Sequence, residues 1–204
     1  MLPSDLIMRL PALLVALVFH EYAHARVAYA LGDPTPRYQG RLTLNPLAHL
    51  DPIGLIMLWI FRFGWARPVQ VNPQNFANPR RGMLLVGLAG PLANVVLAFL
   101  SLVVLRLPIV PGGVALSLLE LFLTYNLVLA VFNLIPVPPL DGSRVLAGLL
   151  PDRAARVFDQ LENKGWVILI VLIWTGAIGI ILQPLMTGLF RALDVVARAI
   201  TGGL

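Results

Sequence analysis

Four stretches of this chain are apolar for twenty residues or more, and that restricts its architecture more than any other feature. A bilayer core takes ~20 residues of helix to cross. The runs from roughly Leu6 to Ala30, Gly82 to Leu107, Val114 to Ile135 and Trp166 to Phe190 all reach that length. Backbone N–H and C=O groups in lipid must be bonded within the chain, so such runs are expected to be helices. A fifth run, residues 52–64, is too short to cross and carries Arg62, which reads as a re-entrant or interfacial piece. With 58% of its 204 residues hydrophobic and 12% charged, the chain is far from the ~25% charge of a soluble domain. The expectation is an all-α integral membrane protein, a multi-span helical bundle forming one membrane-embedded domain over residues 1–204. The first run also has a rival reading as a secretory signal, with Arg9 before Leu10 to Phe19 and a cleavage-like Ala23-His24-Ala25. Asp5 in its leading segment, and the polar cluster such a cut would discard, oppose that reading.

The fifteen basic and ten acidic side chains are placed by topology. Arg37, Arg41, Arg62, Arg67, Arg80 and Arg81 fall between the first two spans; Arg144, Arg153, Arg156 and Lys164 follow the third. If basic loops stay in the cytoplasm, the N-terminus lies outside and the spans alternate, with Arg191 and Arg198 then outside. This is loop charge and not a nucleic-acid surface. The ends of the first and third spans therefore share the cytoplasmic face. Between spans, residues 39–44 (QGRLTL) and 66–73 (ARPVQVNP) alternate polar and apolar, which predicts short extended pieces paired as a hairpin or loop at the membrane edge. Zero cysteines excludes thiolate metal sites and a cysteine nucleophile.

Ionisable groups within a span are costly and mark function by default. His20-Glu21-Tyr22-Ala23-His24 places three of them in five residues. On a helix, positions four apart share one face about 6 Å apart along the axis, so both imidazoles can reach one zinc ion. Glu21 then lies beside the metal as the general base for water. The rival reading packs both histidines against other helices and pairs Glu21 with Arg26. A third protein ligand is required. A third histidine six residues beyond His24 is ruled out by Ala30, which leaves Asp33, His49, Asp51, Glu120 and Asp141. Asp33 sits in a Gly-Asp-Pro turn that suits turn capping, and Glu120 lies near the outer end of its span. Asp141 follows the third span at the cytoplasmic face and is favoured by topology, with His49 and Asp51 as rivals.

The H-E-x-x-H helix, together with Asn133-Leu-Ile-Pro-Val-Pro-Pro-Leu-Asp141-Gly142 after a later span, resembles the paired signature of the site-2 proteases, the zinc-dependent intramembrane proteases. Gly90-Pro-Leu-Ala-Asn94 is similar to that family's G-x-x-x-N helix. The loops Leu44 to Pro52 and Arg67 to Pro73 resemble those of its compact bacterial and archaeal members. The resemblance implies a three-helix catalytic core with Zn2+ held by His20, His24 and Asp141, and with Glu21 activating water. It implies roles near the active site for Asn94, in substrate binding, and for Asn133, in steadying the reaction intermediate; interhelical hydrogen bonding is the alternative for both. Gly87 and Gly90 suit close packing. His49 is kept as a substrate-binding candidate, with loop ordering as its rival role. No segment suits a PDZ domain or a CBS pair.

The implied activity is hydrolysis of peptide bonds within or near transmembrane segments of membrane-protein substrates, in the lipid bilayer of a prokaryotic cytoplasmic membrane, with the active site toward the cytoplasm. A homo-oligomer is compatible with the sequence. Two other readings use the same residues: a metal-ion transporter, and an inactive relative that binds membrane clients. A substrate helix must unwind to be cut and its freed backbone needs new partners, so an enzyme edge at residues 41–44 or 69–71 is expected to receive it.

Overall fold

The computed structural model describes residues 3–61, 65–110, 112–151, 154 and 164–202, with eight α-helices and no strand among them. Arg62, Arg153 and Arg156 lie outside the described residues. The first helix, α1 (Pro3–Ala30), fills the first expected span. A four-residue turn of helix, α2 (Thr35–Tyr38), and the short α3 (Pro52–Phe61) lie in the connection that follows. Then come α4 (Pro79–Arg106), α5 (Val114–Asn133) and α6 (Asp141–Leu149). The chain closes with α7 (Gly165–Trp174) and α8 (Ala177–Thr201).

Local chemistry sets the ends of the long helices. Asn78 caps α4 by accepting from Arg81 N, and Pro79 opens the helix where a missing N–H costs nothing. Leu107, which precedes Pro108, closes it, because a residue before proline is driven out of helical geometry. Gly113, with φ of 75°, opens α5.

The expected fourth span, Trp166 to Phe190, is not continuous. Thr175 ends α7 and Gly176 adopts φ of 75°, a left-handed turn that glycine takes without steric cost. The crossing helix is instead α8, which runs to Thr201 and so takes Arg191 and Arg198 into a helix.

By length and composition, α4, α5 and α8 qualify as membrane-crossing helices among the described residues. At 28 residues α1 is long enough, and Arg9, His20, Glu21, His24 and Arg26 account for its lower hydropathy. The ten residues of α3 rise only ~15 Å, half a bilayer core. Ile53, Ile56 and Ile60 on α3 are exposed, as suits an interfacial piece.

The central helix is α4, which packs against α1, α5, α6 and α8. Ala98, Leu102, Leu123, Leu127 and Ala197 join α4, α5 and α8 at one end. There Asp194 pairs with both Arg106 and Arg198, which ties the C-terminal ends of α4 and α8 together. At the other end Ala28, Phe76 and Val86 join α1, the connection and α4.

The expected hairpin of residues 39–44 with 66–73 does not form. The described connection holds one isolated antiparallel bridge, Leu50 with Ala66, and the two expected pieces are linked through side chains, Gln39 with Gln70 and Arg41 with the Arg67 carbonyl, and not by a backbone ladder. The physical reason lies in where residues 66–73 send their donors: Val69 N bonds Glu21 and Asn72 N bonds Asp33, both on or just after α1.

Candidate metal centre

His20 is ten residues before the end of α1, ~15 Å along the axis, so the site is deep within the bundle. Both histidines of the motif are buried, and so is Asp141, the first residue of α6. His20 Nε2 lies 3.1 Å from Asp141 Oδ2, and His24 Nε2 lies 3.0 Å from both the same oxygen and His20 Nε2. Three donor atoms thus form a nearly equilateral triangle. Three ligands at ~2.0–2.2 Å around a tetrahedral ion would be spaced only slightly wider.

The remaining ring nitrogens decide what those three atoms can be. His20 Nδ1 is 2.6 Å from Asn94 Oδ1, and His24 Nδ1 is 2.7 Å from Val86 O. The Asn94 amide orientation is fixed in turn, because its Nδ2 donates to Ala16 O and to Asn126 Oδ1, while Asn126 Nδ2 donates to Phe122 O. Asn94 Oδ1 and Val86 O can only accept, so each Nδ1 carries the proton and each Nε2 presents a lone pair. Two lone pairs and a carboxylate oxygen at 3 Å repel one another unless a cation lies between them, which is the donor chemistry of a divalent metal site.

Gly90 supplies the space. A Cβ built there would lie 2.6 Å from His20 Nε2 and Cε1 and closer still to His24 Nε2. The sequence suggests close helix packing for Gly90; the group it faces is the pair of imidazoles. Gly87, one turn earlier, lets α4 approach the Asp141 carbonyl. Gly142 faces the backbone of Leu134 and Ile135, so the start of α6 is pressed onto the end of α5. Arg144 Nη1 stands 3.7 Å from Asp141 Oδ1, the oxygen that faces away from the histidines.

Glu21 lies beside this cluster on α1, half-buried, and its Oε2 accepts from Val69 N at 3.1 Å. Among the described residues that is its one hydrogen bond, leaving Oε1 open.

The other candidates separate from the cluster. Asp33 is buried and accepts from Thr35 N, Thr35 Oγ1, Asn72 N and Asn75 Nδ2, which makes it the organiser of the turn after α1. Burial alone would raise its pKa, but the bonds from Thr35, Asn75 and Asn72 outweigh that and hold the carboxyl below its ordinary range. Asp51 caps α3 through Ile53 N and Gly54 N. His49 is fully buried inside the connection with Nε2 2.8 Å from Thr43 O, and Glu120 lines a cavity of about 410 Å³ with Arg9 between α1 and α5. Asn133 donates to Leu129 O one turn back on α5.

Asn94 was expected at the substrate, and all three of its hydrogen bonds go to protein groups, one of them a proposed ligand. Sequence reasoning does not single out Asn126, though an amide inside an apolar span is the signal that would find it.

The described structure is therefore that of an all-helical integral membrane protein with a buried group of two histidines and one aspartate able to hold a metal. The sequence profile of peptidase family M50 matches residues 108–176. YwhC of Bacillus subtilis (strain 168) is 41% identical over 182 residues, 85% of this chain and 83% of YwhC. Rip2 of Mycobacterium tuberculosis (strain H37Rv) is 36% identical over 166 residues, 78% of this chain and 63% of Rip2. MJ0611 of Methanocaldococcus jannaschii is 32% identical over 133 residues, 63% of each chain. All three relatives bear the provisional name of zinc metalloprotease. No solved structure matches the chain at a significant level. The chain belongs to peptidase family M50, the site-2 protease family, and is a zinc metalloprotease.

Proposed function

We propose that this protein hydrolyses peptide bonds within or near the transmembrane segments of other membrane proteins. In this reading His20, His24 and Asp141 hold zinc, Glu21 is the general base, and the site opens toward the cytoplasm. The observation that carries it is the convergence of two histidine lone pairs and one carboxylate oxygen opposite Gly90, with Glu21 one residue from the first ligand.

Zinc, when bound there, polarises the scissile carbonyl and acidifies water. Glu21 takes the proton of the attacking water on the carboxylate oxygen that Val69 leaves free and passes it to the departing amine. Asn94 keeps the His20 ring turned toward the site. Asn133 uses one of its two amide hydrogens on Leu129 O, and the other is available to a substrate oxygen. Val69 lies against Glu21 within residues 67–72, which are neither helix nor paired strand, so an unwound substrate segment can be met by backbone there. Cytoplasmic placement of the site rests on the basic residues of the connection between α1 and α4.

The test is zinc analysis together with cleavage of a transmembrane substrate in proteoliposomes, for the wild type and Glu21→Gln. Retained zinc with cleavage lowered by 10²-fold or more is expected. Full cleavage by Glu21→Gln would refute the mechanism. Zinc flux across the vesicle without any cleavage would favour a transporter.

A further inference from the structure

Glu21 stands on a rigid helix, but its carboxylate has three free torsions, and the one hydrogen bond that selects among them comes from another segment. That segment is the second limb of the connection between α1 and α4. The first limb, residues 41–50, meets the second, residues 65–69, at the Leu50–Ala66 bridge, where Arg67 N donates to His49 O at 2.9 Å. A single bridge joins the backbones of the two limbs at one point.

Arg41 changes that. Its side chain is buried, with the residue only 3% exposed, and it has no carboxylate within ion-pair distance among the described residues. Its Nη1 donates to a carbonyl on each limb, to Ala48 O and, at 3.2 Å, to Arg67 O. Holding the Arg67 carbonyl fixes the peptide plane between residues 67 and 68. Pro68 follows, and its ring fixes φ at about −65°. A single torsion, ψ of Pro68, then separates the clamped carbonyl from the Val69 N–H that meets Glu21. Val69 is itself buried, which restrains that last torsion by packing.

We propose that Arg41 is a positioning residue for Glu21: by pinning the two limbs of the connection together, it aims the Val69 N–H at the Glu21 carboxylate and holds the base in its working rotamer. The inference rests on the reading of Glu21 as the base. It assigns the buried guanidinium a task in the reaction although it touches neither metal nor substrate. Misplacing a reacting group by ~1 Å can cost about 10²-fold in rate, so loss of the clamp acts on turnover and not on binding.

The experiment uses the full chain in proteoliposomes with the same transmembrane substrate, and Glu21→Gln is run beside it. Arg41→Gln should keep zinc, keep KM and lose about 10- to 100-fold in kcat. Amide exchange over residues 66–71, read by mass spectrometry, should rise in the same variant. Because the chain has no cysteine, Leu50→Cys with Ala66→Cys can replace the clamp by a disulfide, since directly opposed antiparallel residues lie within bonding range. The oxidised triple variant should recover most of the lost kcat and exchange protection, and the reduced form should not. If Arg41→Gln does not fold, Arg41→Lys, which keeps one cationic donor, is read in its place and should lose part of the wild-type kcat and of the exchange protection while KM is kept.

Wild-type kcat in Arg41→Gln, an effect on KM alone, or oxidation that restores protection without kcat would overturn the proposal. If the wild type cleaves no substrate, the protease reading fails on its own, and unchanged exchange in Arg41→Gln would still refute the clamp.

Discussion

Gly90→Ala puts one methyl group directly against the proposed zinc ligands. Its Cβ would lie 2.6 Å from His20 Nε2 and nearer to His24 Nε2, where ordinary contact begins at about 3.4 Å. The His20 ring must therefore retreat by about 0.8 Å, and the His24 ring by more, to relieve the overlap. Each is tethered on its far side, by Asn94 Oδ1 at 2.6 Å and Val86 O at 2.7 Å, so retreat breaks those bonds or tilts the ring.

Metal sites tolerate departures of about 0.2 Å in ligand distance, several times less than the displacement required. Disturbing a partner of one ligand typically costs 10- to 100-fold in metal affinity, and here two ligands move at once. Zinc affinity should fall by at least about 100-fold, or ~2.7 kcal/mol. Alanine favours a helix interior over glycine by ~0.5–1 kcal/mol, so α4 itself should persist. The loss should appear in metal binding before it appears in folding. Zinc stoichiometry of the detergent-purified protein, followed by chelator competition, measures the effect. Gly179→Ala on α8, where a Cβ meets nothing within 4 Å, is the control and should bind zinc normally. Stoichiometric zinc at wild-type affinity in Gly90→Ala would show that the two imidazoles do not converge opposite this glycine.

Two further outcomes follow from named contacts. Asn94→Ala frees His20 Nδ1 and should weaken zinc binding 10- to 100-fold while helicity by circular dichroism is unchanged; an unaltered affinity would mean that the ring is held by packing alone. Asp33→Ala removes the acceptor of four hydrogen bonds and should destabilise the protein by about 2–3 kcal/mol at neutral pH. Because the folded state lowers the Asp33 pKa, its stabilisation is complete above about pH 4 and fades as pH falls through the lower folded-state value. Thermal unfolding of wild type and Asp33→Ala should therefore converge toward acid, and a constant difference down to pH 2 would contradict the assignment.

Much of the helical frame was legible in the chain because lipid leaves few choices. An apolar run of twenty or more residues must satisfy its backbone internally, so α1, α4 and α5 fall within three residues of the expected bounds. The fourth span misled for a reason of the same kind. Hydropathy is continuous across Thr175 and Gly176, and it carries no information about the left-handed turn that glycine makes there. The expected hairpin misled because alternation describes which faces are buried and not which partner takes the N–H groups; for Val69 and Asn72 those partners are side chains.

The site divides along the same line. Helical periodicity and alternating spans, which are local consequences of backbone geometry and lipid, already place His20 and His24 on one helical face, Glu21 beside them and Asp141 at the same end of the bundle. Which acid meets the histidines depends instead on how the helices pack. Packing also lets Asn94 and Val86 set their tautomers, leaves Gly90 in the space between them, and has Arg41 hold the segment whose Val69 N–H meets Glu21. Those are contacts between residues up to 121 positions apart. They depend on packing distances of a few tenths of an ångström, which neither periodicity nor composition encodes.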